Sequence, residues 1–289
     1  MKGYYDNVKQ SKLPQMYELA HRANINVYTI EIDGIQKYVV LYEDHRTILN
    51  VLYFARMKGI LSSVPNLIYF DYHDDACEIY GGKLEEMKAL PISEENFKIF
   101  WQFIEFSLGA MDDDWVWAGM YLDLIKNAVR VGGTQEDNIQ RLNEVFNVQN
   151  QYLYSIDHLD SELGNRGCFT DRFSQHADED RLIRGIFGNN WADEKIEEYD
   201  VPFVLDFDLD CFTGEIDGKV IAWPEIIFRK HYEEHFESKQ LLRKLIKQSA
   251  FITICREANC CGGIGESNKI LSYLDHYLFD NQLHTIPIV

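Results

Sequence analysis

The chain alternates apolar runs at strand spacing with apolar runs at helix spacing. NVYTIEI and IQKYVVLY, joined by Asp33-Gly34, predict a β-hairpin, because Asp-Gly between two alternating runs is a strong turn signal. A helix is predicted next over RTILNVLYFARMKG, and VPNLIYF, VPFVLDF and FITIC have the length and composition of buried strands. This alternation predicts an α/β fold of three layers, α-β-α, around a mostly parallel central sheet.

The rest of the pattern is helical or irregular. Further helices are predicted over 94–108, 115–128, about 223–249 (two helices) and 266–279. Residues 130–200 are mixed and polar, and they are predicted as loops and short helices. Because the chain has no internal repeat and no linker rich in Pro, Gly or Ser, the simplest prediction is one domain over residues 1–289.

The net charge of the chain restricts the classes of molecule that it is expected to bind. Lys and Arg number 28 against 47 Asp and Glu, a formal net charge of −19. This balance argues against binding to nucleic acid or to an anionic membrane and favours cationic ligands. The first residues lack the apolar core of a signal peptide, no apolar run has membrane-spanning length, and the six cysteines form no CxxC pair, so a cytoplasmic protein with reduced thiols is expected.

Acidic residues and histidines follow the predicted strands. Asp71, His73 and Asp75 alternate along one apolar strand end, so in extended backbone their side chains point the same way. Ligands of parallel sheets bind outside the carboxyl ends of the strands. One rim of the sheet is therefore expected to carry His45, Asp71–Asp75, Asp208–Asp210 and Arg256-Glu257.

A second alternating set, Asp206, Asp208 and Asp210, ends another buried strand. Two neighbouring carboxylate clusters would repel each other strongly if no cation lay between them, and two divalent ions remove that repulsion. Carboxylate and imidazole donors without thiolate suit manganese, ahead of iron, cobalt or zinc. The competing interpretation is that these residues are solvated strand ends or helix caps.

The order of these motifs resembles a known family. Asp44-His45, Asp71-Tyr72-His73-Asp74-Asp75 and Phe207-Asp208-Leu209-Asp210 are similar to the motifs of the arginase/ureohydrolase superfamily, which bind two Mn²⁺ ions in an arginase-like fold. The Glu-Asp-His and Asp-Leu-Asp-Cys-Phe forms resemble the uncharacterised protein family UPF0489 more closely. That branch includes peptide arginases of ribosomal-peptide biosynthesis, which convert arginine residues of a precursor peptide to ornithine.

The resemblance assigns roles residue by residue. One Mn²⁺ would be bound by His45, Asp71, Asp75 and Asp208, and the other by Asp71, His73, Asp208 and Asp210. A pairing of Asp206 with Asp208 is also possible; otherwise Asp206 would hydrogen-bond to a ligand. Asp75 would also be catalytic, passing a proton from the attacking water to the leaving amine, and Glu257 would bind the guanidinium, unless Glu257 forms a salt bridge with Arg256 or begins a helix.

The departures from the superfamily pattern affect the substrate. The segment after Asp75 lacks the His-Gly motif that in the superfamily contacts the α-amino and α-carboxyl groups of free arginine. This favours an arginine whose α-groups are in peptide bonds. The alternatives are an amidinohydrolase or amidohydrolase acting on a small guanidino or amide metabolite, and a non-catalytic metal-binding scaffold. His158 or His176 could shuttle protons, and Trp115 and Trp117 are either core residues or a wall that contacts the peptide.

Overall fold

A computed structural model describes ten stretches of the chain. They are residues 15–21, 25–73, 75–77, 79, 82–108, 114–132, 138–141, 151–156, 202–234 and 236–283. Within them, no helix combines the length and the apolar character needed to cross a membrane.

Among the described residues, eight strands form the central sheet and two more form a separate hairpin. Their bounds are β1 Asn26–Ile32, β2 Ile35–Tyr42, β3 Asn66–Phe70, β4 Ala128–Val131, β5 Asn138–Arg141, β6 Tyr152–Ile156, β7 Phe203–Asp208, β8 Thr213–Ile216, β9 Lys219–Ala222 and β10 Ile252–Cys255. The sheet order is β1-β2-β10-β7-β3-β4-β6-β5. Only the two edge pairs, β1 with β2 and β5 with β6, are antiparallel in this sheet.

Helices cover both faces of the sheet. Their bounds are α1 Thr47–Met57, α2 Gly82–Ala89, α3 Glu94–Ser107, α4 Trp115–Tyr121, α5 Glu225–Arg229, α6 Phe236–Gln248 and α7 Ile264–Leu278. Side chains of α1, α3 and α4 pack with one face of the sheet, and side chains of α5, α6 and α7 pack with the other. The predicted α/β class, with helix layers on both sides of a mostly parallel sheet, is confirmed.

Two Asp-Gly turns join two of the antiparallel strand pairs, β1 with β2 and β8 with β9. Asp33 and Gly34 have φ of 51° and 78°, as a two-residue turn with two left-handed positions requires. The predicted hairpin over β1 and β2 is confirmed. Asp217 and Gly218, with φ of 51° and 71°, make the same turn between β8 and β9, a hairpin that the sequence analysis missed although it carries the same signal.

Two predicted elements were wrong in part. The helix predicted over 115–128 ends at Tyr121, because Leu124 and Ile125 both donate to the Gly119 carbonyl and the chain turns at Asp123, whose φ is 55°. Ala128 then begins β4. Residues 130–200, predicted as loops and short helices, contain β5 and β6; the remainder of that range lies outside the described residues except for its first three residues and residue 151.

Candidate metal centre

Four parallel neighbours of the sheet end at the same edge. They lie side by side in the order β2, β10, β7 and β3. His45 follows β2, Glu257 follows β10, Asp71 follows β3, and Asp208 is the last residue of β7. The turn after β2 carries His45, and Asp71 is the residue after β3. The topology therefore brings residues that are far apart in the chain to one place, at the edge where parallel sheets bind ligands.

The first donor group surrounds the imidazole of His45. Its Nδ1 atom lies 3.5 Å from Oδ2 of Asp71, 3.3 Å from Oδ2 of Asp75 and 3.1 Å from Oδ2 of Asp208. One donor atom from each of the four residues lies within 4.8 Å of all the others. All four residues are buried. They are the four residues that the family resemblance assigned to one ion.

A second donor group lies beside the first and shares Asp71 with it. Nδ1 of His73 lies 3.0 Å from Oδ2 of Asp210 and 3.9 Å from Oδ1 of Asp71. The His73 side chain is 55% exposed, so this group lies at the solvent side of the site. Asp208, expected to serve both ions, belongs to the first donor group and not to the second, and its Oδ1 accepts a hydrogen bond of 3.2 Å from the Asp210 amide.

The donors fit a divalent cation. His45 Nδ1 and Asp71 Oδ2 are buried atoms with no hydrogen-bond partner, which is costly unless a cation or a proton occupies the space between them. Burial and the nearby Asp75 carboxylate raise the pKa of Asp71 well above its usual range, and burial with the Asp210 charge raises the pKa of Asp208 to about 7. Protons on these carboxyls are what a bound cation would replace.

The electrostatics of His45 point the same way. Burial on its own would lower the pKa of the imidazole, but the surrounding groups, with the Asp206 carboxylate first and Cys255 and Asp208 after it, outweigh burial and raise the pKa. A neutral imidazole is the form that binds metal. The excess of negative charge that favours protonation of His45 is therefore the same feature that favours a cation at the position of that proton.

Glu257 faces both donor groups. One of its oxygens lies within 4.8 Å of donor atoms of His45 and Asp208, and one lies within 4.8 Å of an oxygen of Asp210. Burial, and next the Asp208 charge, raise the pKa of Glu257 to about 9. Arg256 pairs instead with Glu43 at 2.8 Å, and α7 begins only at Ile264, so neither competing role considered for Glu257 is seen in the described residues.

Two cysteines near the site were not anticipated. Cys255 groups with His45, Asp208 and Glu257, and Cys260 groups with Asp210 and Glu257. Burial is the main cause that raises the pKa of Cys255 well above its usual range and that of Cys260 to about 12. Both are neutral thiols at neutral pH, so the carboxylates and imidazoles remain the better cation donors.

Hydrogen bonds of the backbone hold the segment Asp71–His73 in place. The His73 amide donates to Oδ1 of Asp71 over 2.7 Å, and the Tyr72 amide donates to Oδ1 of Asp210 over 3.3 Å. The buried guanidinium of Arg130 donates to the Tyr72 carbonyl over 3.0 Å. Sequence reasoning missed Arg130, whose only signal is a charged residue in an otherwise apolar strand, AVRV.

Trp115 belongs to the core and touches the first donor group. It is fully buried, whereas Trp117 is 4% exposed and stacks on Tyr121. These tryptophans were interpreted either as core residues or as a wall that contacts the peptide. The structure places both of them in the core. Asp74, His158 and His176 lie outside the described residues.

Among the solved structures that the chain resembles are two distant likenesses. No protein-family model matches the chain, and no curated protein matches it. Proclavaminate amidinohydrolase from Streptomyces clavuligerus is 11% identical with a TM-score of 0.38; the match covers 86% of this chain and 64% of that chain, which is less than two thirds. Helicobacter pylori arginase is 16% identical with a TM-score of 0.39, over 86% of this chain and 71% of that one. Both scores are below 0.5, so the fold class rests on the sheet and its helix layers.

Proposed function

We propose that the chain is a binuclear-metal hydrolase of the arginase/ureohydrolase superfamily, in the UPF0489 branch. Its substrate would be the guanidino group of an arginine residue in a precursor peptide, and its products a peptidyl ornithine and urea. The observation that carries the proposal is the pair of donor groups that share Asp71, with Glu257 facing both of them. Manganese is the expected metal, because the best donors are carboxylates and imidazoles.

Divalent ions bound at such a site supply a water nucleophile at neutral pH and polarise the group under attack. The hydrolysis itself forms a bond from water oxygen to the guanidinium carbon and breaks the bond from that carbon to the side-chain nitrogen. Both water protons must end on the departing nitrogen, which already carries one hydrogen and leaves as the ornithine ammonium, and the first of them must be carried from the water to that nitrogen. Asp75 is the proposed carrier of this proton, since its Oδ2 lies within the first donor group.

Glu257 is the proposed partner of the guanidinium. A carboxylate matches the planar guanidinium with two parallel hydrogen bonds. Without a cation, burial keeps this carboxyl protonated, so a guanidinium arriving beside it would favour the ionised form. Glu257 also has φ of 28°, a conformation that L residues rarely adopt and that is found preferentially at functional sites.

The preference for a peptide substrate has a separate basis. No His-Gly motif follows Asp75 in the sequence, so the contacts expected for the α-groups of free arginine are missing. The net charge of −19 favours a basic peptide as partner.

The test combines metal analysis with product detection. The purified chain should bind two Mn²⁺ ions, release urea from an arginine-containing peptide and lower the mass of that peptide by loss of the amidino group as ornithine forms. Activity on free agmatine but not on peptides would favour the metabolite alternative. A chain that binds two ions and releases urea from neither substrate would favour the scaffold alternative, and a chain that binds no ion would overturn the proposal.

A matched pair of variants tests the substrate role of Glu257. Glu257→Gln keeps the shape but removes the charge, so KM for the guanidino substrate should rise by at least about tenfold while two ions remain bound. Glu43→Gln removes an exposed carboxylate that pairs with Arg256 at the rim, and its KM should change little. Equal effects of the two variants would contradict the role of Glu257.

A further inference from the structure

Asp206 is an acidic residue inside the apolar layer beneath the donor groups. It lies in β7 with 0% exposure, and its register neighbours are Thr253 on β10 and Tyr69 on β3. It belongs to neither donor group. Since a buried carboxylate is costly unless hydrogen-bond donors surround it, the contacts of Asp206 indicate why it is there.

Three side-chain groups meet the Asp206 carboxylate. The Tyr42 hydroxyl donates to Oδ1 over 3.1 Å, and the Thr253 hydroxyl donates to the same oxygen over 2.5 Å. The remaining oxygen, Oδ2, lies 2.8 Å from Nε2 of His45. The two hydroxyls thus orient the carboxylate from β2 and β10, and its second oxygen is left for the imidazole.

The contact with His45 sets the role of each ring nitrogen. An ionised carboxylate only accepts hydrogen bonds, so Nε2 of His45 must carry the proton that it donates. In the neutral imidazole that binds metal, Nδ1 then has the lone pair, and Nδ1 is the nitrogen that faces Asp71, Asp75 and Asp208. We infer that Asp206 is a positioning residue: it holds the His45 ring in the form and orientation that a cation in the first donor group needs, and Tyr42 and Thr253 hold Asp206 in turn. This inference rests on the metal site of the proposed function.

The same geometry argues against Asp206 as a metal ligand. Oδ2 of Asp206 lies at the Nε2 side of the His45 ring, and the carboxylates of the first donor group lie at its Nδ1 side. Both Asp206 oxygens already accept hydrogen bonds from the protein. Of the two pairings left open by the sequence, the contacts favour Asp208 and Asp210 as the donors and Asp206 as the support for His45.

The experiment measures ion binding directly. Mn²⁺ is titrated calorimetrically into the metal-free wild type, Asp206→Asn and Asp206→Leu, and each variant is also unfolded without metal. Loss of such a supporting carboxylate should weaken one of the two ions by about 10- to 100-fold and leave the other, bound by Asp71, His73 and Asp210, near its wild-type affinity. Thr253→Val should weaken the same ion by a smaller factor.

Asp275→Asn is the matched control, because Asp275 is another buried aspartate and its Oδ1 accepts a hydrogen bond from the Leu283 amide away from the site. It should change unfolding without selective loss of one ion. Wild-type affinities for both ions in Asp206→Asn would overturn the role of Asp206 but not the proposed function. An equal loss of affinity for both ions would do the same. A wild-type chain that binds no Mn²⁺ would overturn the proposed function as well.

Discussion

The indole Nε1 of Trp115 donates a hydrogen bond of 2.5 Å to Oδ2 of Asp75. The same indole packs on the His45 ring with centroids 4.3 Å apart, and it meets Tyr69 edge to face at 5.5 Å. The Val116 amide also donates to the Asp75 carbonyl over 3.0 Å. The start of α4 therefore holds Asp75, whose φ of 49° is unusual for a residue other than glycine, in the conformation that turns its carboxylate toward His45.

Replacing Trp115 by Phe tests this arrangement. The variant keeps most of the aromatic packing on His45 but leaves Asp75 Oδ2 without its buried donor, so the free energy of unfolding should fall by about 1.5–3 kcal/mol. Mn²⁺ in the first donor group should bind more weakly, as measured by calorimetry. Trp101→Phe, on the partly buried side chain of α3 that contacts Phe97, is the control. If both variants bind Mn²⁺ alike, the hydrogen bond does not orient Asp75.

Asp71 and Asp210 should differ in how many ions they control. Asp71 belongs to both donor groups, whereas Asp210 joins His73 only in the second of the proposed ion positions. Asp71→Asn should therefore reduce the bound manganese from two ions to nearly none, and Asp210→Asn from two to about one. Both should abolish urea release. Metal content by mass spectrometry of the dialysed proteins decides, and equal stoichiometry in the two variants would contradict the shared position of Asp71.

Much of the fold could be predicted because its signals are local. The hairpin of β1 and β2, the buried strands β3, β7 and β10 and the helix α7 follow from apolar spacing and turn residues. The strand β4 was missed because AVRV is short and has a charged residue in its centre, and tertiary contacts such as the hydrogen bond of Arg130 to the Tyr72 carbonyl make that residue acceptable in the core. Short strands are defined by their neighbours, and a single chain does not contain that information.

The grouping of the candidate site could be predicted for the same reason that it is compact: its residues end parallel strands. The support of the site could not. Trp115 and Thr253 reach the donor groups from segments whose sequence carries no chemical motif, and which polar atoms they meet depends on sheet order and helix placement. The sequence placed Asp206 next to the site but left its role open, because a strand with alternating aspartates does not reveal which carboxylate points at a histidine.

Replacing two glycines that follow β10, Gly262 and Gly265, by alanine should have opposite effects on stability. A Cβ at Gly262 would lie 2.0 Å from the Val220 carbonyl oxygen, and its φ is 82°, so Gly262→Ala should destabilise the fold by more than about 2 kcal/mol. Gly265 lies in α7 with nothing within 4 Å of an added Cβ, so Gly265→Ala should be neutral or stabilise by up to about 1 kcal/mol. Urea unfolding of both variants measures the difference, and similar midpoints would contradict the close approach of β9 to this loop.

Removal of the metal should make stability depend on pH in a defined direction. In the metal-free fold, burial raises the pKa of Asp208 to about 7 and that of Glu257 to about 9, while unfolded carboxyls titrate near pH ~4. Between those values the folded chain binds more protons than the unfolded chain, so stability falls as the pH rises from about 4 to about 9. Bound Mn²⁺ would take the place of the Asp208 proton, and its positive charge would favour the ionised form of the nearby Glu257, so the loaded chain should lose much less stability over the same range. Thermal unfolding with a chelator and with Mn²⁺ at several pH values measures both curves, and parallel curves would mean that these carboxyls do not lie at the metal position.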